Sequence, residues 1–323
     1  MKEFDLIARL TERLPSNPQV VVGAGDDCAV VRMPGVISEC VLKTDAVVEG
    51  VHFGAETEPE RIGHKALARC LSDFGAMGAK PMAALVTLAI SKLDLARVER
   101  IYRGMSRLAE RYGVAIVGGE TTSMPSGFLI NVSLMGSVAP GKAVLRCGSQ
   151  IGDALFVTGE LGGSIAGKHL DFEPRLVEGQ WLAEHFAIHS MIDLSDGLAG
   201  DLGHILKQSV VPGAELLGTA IPISRAAKLR ARSGDLAKPA LAAALTDGED
   251  FELLFTVRSA EAVAVMDGWR RRFPETRLTC VGKLIGRKGI WLREAMGVRQ
   301  IAASGFDHFD HSEQVRTQSP TEE

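Results

Sequence analysis

The stretch M-I-D-L-S-D-G-L-A-G-D-L-G-H, Met191 to His204, decides how the chain is read. Ile192, Leu194, Leu198, Leu202 and Ile205 can face a core, while Asp193, Ser195 and Asp196 gather where a strand gives way to a helix. The spacing predicts a helix from Gly197 to about Gln208, with Ser195 or Asp196 as its N-cap. Helix starts favour anions because their first N–H groups have no partner within the helix. Two carboxylates three residues apart at such a junction have two readings. One is an N-cap beside a solvated acid; the other is a magnesium site, where carboxylate oxygens and nucleotide phosphates share the ion. Acids elsewhere in the chain decide between them.

A chain of 323 residues, 46% hydrophobic, is long enough for two domains with sizeable cores. Its net charge of -4 and dispersed Lys and Arg exclude the clustered basic footprint of a nucleic-acid binder. The opening M-K-E-F-D-L-I-A-R-L breaks its apolar residues with acids, unlike a signal peptide, and no later apolar run is long enough to span a membrane. A cytoplasmic protein with no membrane or nucleic-acid partner is therefore expected. Cys28, Cys40, Cys70, Cys147 and Cys280 are scattered and form no C-x-x-C pair, so reduced structural thiols are expected.

Upstream, Phe4, Leu6, Ile7, Leu10 and Leu14 are spaced for one face of a short helix, Met1 to Leu14. G-A-G-D-D-C-A-V-V, Gly23 to Val31, is a glycine-rich acidic turn before a short strand, and on its own reads as a polar turn. Val36 to Phe53 reads as a strand ending in K-T-D and then a loop, which leaves Thr44 and Asp45 at the strand's carboxyl end, a usual place for ligand-binding groups. His52 beside Phe53 is either loop packing or an imidazole and ring next to a substrate. Pro59 to Met77 has helical spacing, and Gly75, Ala76, Gly78 and Ala79 imply close packing at its end. Asp73 lies in this small, apolar stretch, where an unpaired carboxylate is costly to bury, so a cation or donor is expected to meet it. Further elements are a strand Met82 to Ile90, a helix Leu95 to Tyr112 closed by Gly113, and a strand Val114 to Val117. The last of these runs into G-G-E-T-T, with Glu120 at its end, before another strand from Phe128 to Val138. A compact first domain is expected to end near Ala139, at a Pro- and Gly-containing linker that carries Lys142 and Arg146.

Beyond the linker, a strand Ala154 to Thr158 leads into a glycine-rich loop. Gly162 to Lys168 fits G-x-x-x-x-G-K, but His169 stands where a phosphate loop needs Ser or Thr, so the match is a near miss. A helix around Pro174 to Phe186 precedes the organising stretch, and strands Ala214 to Ile223 and Phe251 to Val257 flank an alanine-rich, partly helical region. D-G-E-D-F-E-L-L-F, Asp247 to Phe255, puts Glu249 and Asp250 in a turn where they can face a pocket. A helix near Ala260 to Arg272 and strands Leu278 to Leu284 and Gly289 to Arg293 follow. The polar residues 312–323 are expected to be a disordered tail.

The acids Asp27, Asp45, Asp73, Glu120, Asp193 and Asp196 each adjoin a glycine-rich turn or strand end. Around them stand G-D-D-C-A, T-D-A-V-V-E-G-V-H-F, L-S-D-F-G-A-M-G-A-K-P, G-G-E-T-T, L-R-C-G, I-D-L-S-D-G-L, D-L-G-H, G-E-D-F-E-L-L-F and G-F-D-H-F. In this order, from about Phe4 to Phe309, they resemble the thiamine-monophosphate kinase family, of the superfamily that includes aminoimidazole ribonucleotide synthetase and selenophosphate synthetase. The resemblance implies an α/β (α+β), two-domain aminoimidazole ribonucleotide synthetase-like fold, its mixed sheets carrying helices on one face. Residues 1–139 would form an ATP- and magnesium-binding, dimerising domain, and residues 140–311 an α/β domain completing the site.

The implied reaction is ATP-dependent phosphorylation of thiamine monophosphate to thiamine diphosphate, by direct in-line transfer in a homodimer. By motif, several Mg2+ ions would be held by Asp27, Thr44, Asp45, Asp73, Glu120, Asp193 and Asp196. ATP would meet Tyr102, Gly119, Glu120, Arg146 and Ser195, and the thiamine end would meet His52, Glu249 and Phe306. No side chain is implied as acid or base, and Arg146 would stabilise charge. Two residues depart from the family's pattern. Glu120 replaces an Asp, and Lys43 stands where the family carries Ser or Thr; an ammonium cannot ligate a metal, so Lys43 is expected to replace the charge of one. The alternatives are a sister enzyme of the superfamily and a non-catalytic binder of nucleotide or thiamine phosphate. A selenophosphate synthetase is expected to have a reactive Cys before Cys28, and a hydrogenase-maturation relative a terminal Cys where P-T-E-E stands.

Overall fold

The computed structural model describes residues 3–233 and 238–303, so Phe306, the G-F-D-H-F string and the expected tail lie outside the described residues. The first half runs α1 (Glu3–Thr11), β1 (Val20–Val22), β2 (Ala29–Arg32), β3 (Glu39–Val48), α2 (Pro59–Ala76), β4 (Lys80–Ile90), α3 (Leu95–Tyr112), β5 (Ala115–Ser123) and β6 (Phe128–Val138). The second runs β7 (Ala154–Thr158), α4 (Lys168–Asp171), α5 (Leu176–His185), β8 (Ser190–Asp193), α6 (Leu198–Gln208), β9 (Gly213–Leu217), α7 (Arg225–Arg232), α8 (Ala240–Thr246), β10 (Leu253–Val257), α9 (Ala262–Arg272), β11 (Leu278–Ile285), β12 (Gly289–Glu294) and β13 (Gly297–Ile301).

Among the described residues these strands form two mixed sheets, ordered β1-β2-β3-β6-β4-β5 and β13-β12-β9-β11-β7-β10-β8. Strand β6 sits inside the first because it alternates strictly: Phe128, Ile130, Val132, Leu134 and Val138 are buried and the residues between them less so. In the second sheet β7 (ALFVT) and β10 (LLFTV) are buried throughout, as neighbouring strands covered on both faces must be. Helix α3 begins at Asp94, whose side chain accepts from Arg97 N at 3.1 Å, and ends at Gly113 in the left-handed conformation (φ 66°).

Helix α2 is the wall shared by the two halves. One side packs on β3, β6 and α3, the other on α4, α5 and β8. The small residues at its end permit this contact: a Cβ on Gly179 of α5 would stand 1.9 Å from the Gly75 carbonyl oxygen. Leu170, Phe172, Leu176 and Phe251 pack into the same core as α2 and the first sheet, so that core draws on chain well past the linker.

The structure changes four local expectations. Strand β3 does not stop at K-T-D; it stays paired with β6 from Thr44↔Ser133 to Val48↔Leu129, which puts Thr44 and Asp45 in mid-strand. Strand β5 likewise absorbs G-G-E-T-T through parallel pairing with β4, from Gly118↔Leu85 to Ser123↔Ile90, so Glu120 is not at a strand end. Helix α6 has Gly197 (φ 102°) as its N-cap in place of Ser195 or Asp196, and Asp201 Oδ2 reaches back to accept from Asp196 N at 3.1 Å. Strand β9 ends at Leu217, and β1 and β13 are additional edge strands. The five cysteines are free, and among the described residues no helix is long and apolar enough to cross a membrane.

Candidate active site

Three chain segments deliver one acid each to a buried point between the sheets. Asp27 comes from the turn before β2, Asp73 from the last turns of α2 and Asp193 from the end of β8, and their ligand oxygens all lie within 4.8 Å of one another. Ser72 Oγ donates to Asp193 Oδ2 at 2.6 Å, and Arg146 donates to Asp27 Oδ1 through Nε (3.0 Å) and Nη2 (2.5 Å). Burial, then the charge of Asp27, raises Asp193 to about 6. Asp73 is pushed well above the usual carboxylate range by burial, against the opposing charge of Lys43. Neighbouring Asp26 is raised to about 6 by burial and by Asp27, while its carboxylate accepts from Arg146 N at 3.2 Å.

Among the described residues Asp27 Oδ2 is buried without a hydrogen-bond partner. An orphaned carboxylate oxygen amid converging acids is unfavourable unless a cation joins it. A set made only of hard oxygen donors suits Mg2+. The residues therefore fit the implied metal.

The period of β3 splits K-T-D between two faces. Lys43 Nζ lies 2.6 Å from Asp73 Oδ1 and 3.7 Å from Asp45 Oδ1. Thr44 points to the other face, where its hydroxyl meets Asn131 Oδ1 and Ser133 Oγ, each at 3.1 Å, so its side chain stays apart from the acid cluster. Glu120 is exposed on edge strand β5. Beside it Gly119 is obligatory, since a Cβ there would stand 1.7 Å from the Val86 carbonyl oxygen. Tyr102 is half-buried on α3 against the first core.

Asp196 belongs to a second group with Asp201 and His204, again with ligand atoms within 4.8 Å of one another. Burial and the charge of Asp196 raise the fully buried Asp201 well above the usual range. Burial, then Arg146 and Lys207, lowers His204 to about 4, so its imidazole is neutral at pH 7. Asp201 and His204, three apart in D-L-G-H, share one helix face, a spacing that was available in the sequence.

The D-G-E-D-F-E turn is stitched onto the organising stretch. Glu249 N donates to Ser195 O (2.7 Å), Phe251 N to Leu194 O (2.8 Å) and Leu194 N to Glu252 O (2.8 Å), with Glu249 and Phe251 at φ 61° and 50°. Such left-handed conformations in non-glycine residues concentrate at functional turns. Glu249 Oε2 accepts from the fully buried Lys65 at 2.7 Å and lies 2.9 Å from His169 Nδ1. Lys65 also donates to His52 O at 2.7 Å. Burial acts to raise Glu249, but its hydrogen bond with His169 and the charge of Lys65 outweigh this and take it down to about 2. Burial lowers Lys65 to about 8 against the pull of Glu249, so the pair is ionised at neutral pH. His52 Nδ1 accepts from Val48 N at 3.0 Å, which fixes that nitrogen as unprotonated. His52 and Glu249, expected at the thiamine end, thus adjoin the same lysine. The motifs assign no site role to Lys65 or His169, although Lys65, Ser72 and Asp73 fall on one face of α2 at i, i+7 and i+8.

The phosphate-loop near miss is settled by its partners. Gly162 N donates to Asp250 Oδ2 (2.8 Å), Gly163 N to Asp247 Oδ2 (3.1 Å) and Lys168 Nζ to Glu252 Oε1 (2.7 Å). The groups that would cradle a phosphate are occupied by carboxylates from the acidic turn.

Residues 25–138 of this mixed α/β protein match the AIR synthase related protein, N-terminal domain. The thiamine-monophosphate kinase of Rhodopirellula baltica is 40% identical over 316 residues, covering 95% of this chain and 97% of the relative. That of Bacillus subtilis is 36% identical, covering 96% and 100%. The structure of AaThiL complexed with AMPPCP and TMP superposes with a TM-score of 0.75 at 29% identity, covering 95% of this chain and 97% of its own. The chain belongs to the thiamine-monophosphate kinase family.

Proposed function

We propose that this chain transfers the γ-phosphoryl group of ATP to the phosphate of thiamine monophosphate, releasing thiamine diphosphate and ADP. The observation that carries the reading is the buried Asp27–Asp73–Asp193 cluster with its orphaned Asp27 oxygen, in a chain that matches kinases of this name over almost its whole length. The relatives act on thiamine monophosphate by name, and the neighbouring structure holds an ATP analogue together with TMP.

An oxygen of the acceptor phosphate attacks the γ-phosphorus in line; a new P–O bond forms as the bond to the β,γ-bridging oxygen breaks, and ADP carries away the electron pair. The acceptor needs no strong base, because a phosphate monoester's second pKa is about 6. The obstacle is repulsion between two polyanions. Mg2+ bound by Asp27, Asp73 and Asp193 would supply charge neutralisation and hold phosphate oxygens in place. Arg146, already anchored on Asp27, presents its guanidinium beside those acids. Asp196 extends the acidic lining through Asp201 and His204, and Ser195 is fixed at the turn by its carbonyl bond to Glu249. Glu249 and His52, organised by Lys65, face the cationic thiamine end, while Gly119 and Tyr102 belong to the nucleotide side. We assign residues 1–139 and 140–311 as the two domains, with the site at their shared wall.

The outer face of the first sheet exposes Leu42 (41%), Met82 (52%), Leu85 (49%) and Val117 (62%). An apolar sheet face of this kind supports a homodimer formed through the first domains, and the absence of an apolar spanning helix among the described residues accords with a cytoplasmic enzyme. Turnover with ATP, Mg2+ and thiamine monophosphate tests the reading. The parent should form thiamine diphosphate, and Asp193→Asn should lose about 10²-fold or more of that rate while remaining folded. An unimpaired Asp193→Asn would refute the role of the cluster.

A further inference from the structure

Lys43 keeps its ammonium among acids, although it stands on a strand that could send it to solvent. Its side chain is only 20% exposed, and Nζ lies 2.6 Å from Asp73 Oδ1 and 3.7 Å from Asp45 Oδ1. A second cation stands behind the same acids. Arg69, four residues before Asp73 on α2, has a buried Nε with no partner among the described residues, and its Nη1 reaches Ala46 O at 3.4 Å. After burial, the charges that act most on Arg69 are those of Asp45, Glu249 and Asp73. Asp45 and Asp73 Oδ1 therefore already share an ammonium of the chain itself. At the cluster itself Asp27 Oδ1 is held by Arg146, but among the described residues its Oδ2 has no hydrogen-bond partner, and the hydrogen bond to Asp193 comes from the uncharged hydroxyl of Ser72.

We propose that Lys43 is a resident cation taking the place of a divalent ion between Asp45 and Asp73, so that metal loads only on the Asp27–Asp73–Asp193 side. An ammonium carries charge and three donors but cannot be a ligand to metal; it can hold both acids at once. Lys43 is thus a positioning residue that acts through the acids. Asp45, expected from motif to be a metal ligand, becomes the anchor of Lys43. This inference rests on the magnesium-dependent reading of the site.

The test is an anomalous-scattering crystal structure of the parent with Mn2+ and a β,γ-methylene ATP analogue. Manganese is expected on Asp27, Asp73 Oδ2 and Asp193, with none bonded to Asp45. Manganese bonded to Asp45 overturns the proposal, and so does a parent that binds no Mn2+ at the cluster. Counting bound Mn2+ by electron paramagnetic resonance adds a second arm: Lys43→Ser should bind about one ion more per chain than the parent, because a hydroxyl and two freed carboxylates make a new oxygen site. Lys43→Arg should keep the parent count. Equal counts in folded Lys43→Ser and the parent overturn the proposal, and if Lys43→Ser does not fold, the parent's anomalous map decides alone. Thiamine diphosphate formation is assayed separately. The expected manganese pattern without turnover refutes the kinase reading and leaves Lys43 as assigned, whereas turnover with manganese on Asp45 refutes only Lys43.

Discussion

Glu249→Gln isolates the worth of one charge at the thiamine end. The exchange keeps the side-chain shape and the backbone strain at φ 61°, and replaces the carboxylate by a neutral amide whose oxygen can still accept from Lys65. Glu249 is drawn from an ordinary 4.5 to about 2, and its side chain is 21% exposed, well enough shielded for the shift to count toward stability. At about 1.4 kcal/mol per pKa unit the ionised form contributes about 3 kcal/mol. That agrees with the ~3–5 kcal/mol found when one partner of a buried ion pair is removed. The folded-state pKa is depressed, so this stability is present above 4.5 and is lost as pH falls toward 2. Urea unfolding followed by the fluorescence of Trp181 and Trp269 should show the variant about 3 kcal/mol less stable than the parent at pH 7, narrowing to ~1.4 kcal/mol at pH 3. A gap below ~1 kcal/mol at pH 7, or one equal at both pH values, would refute an ionised Lys65–Glu249 pair as the organiser of this corner.

Gly119→Ala forces a Cβ against Val86 O, 1.7 Å away, and should cost about 3 kcal/mol or more by parting β5 from β4; a melting temperature equal to the parent's would show that the two strands do not depend on that approach. Asp250 behaves in the opposite sense to Glu249. Burial raises it from 3.8 to about 7, so the unfolded chain ionises first, and stability is lost as pH rises between these values. Asp250→Asn should therefore be more stable than the parent by ~1 kcal/mol or more at pH 8 and equal to it at pH 3, and no gain at pH 8 would count against the buried carboxyl.

Much of the scaffold is legible where one period dominates. Helix α3 and strand β6 begin and end where Leu95–Tyr112 and Phe128–Val138 say they should, because cap, glycine and alternation agree. Asp73 announces itself as an acid in an apolar helix face, and the expected cation is Lys43. Thr44 and Asp45 are adjacent in a motif but face opposite sides of β3, so the structure turns Asp45 toward Lys43 and the Thr44 hydroxyl toward Asn131 and Ser133. Lys65 is illegible for a different reason. A lysine in a helix reads as solvated, and only the meeting of α2 with His169 and the acidic turn buries it completely. The helix cap at Gly197 depends on a backbone conformation that no side-chain pattern reveals.

The central claim is direct phosphoryl transfer between two phosphates, and phosphorus NMR of a single reaction tests it most directly. Protein, ATP, Mg2+ and thiamine monophosphate should give ADP and thiamine diphosphate in equal amounts, with no AMP, no free phosphate and no diphosphate from free thiamine. Phosphate release that does not require thiamine monophosphate, or turnover of free thiamine at a comparable rate, would contradict the account.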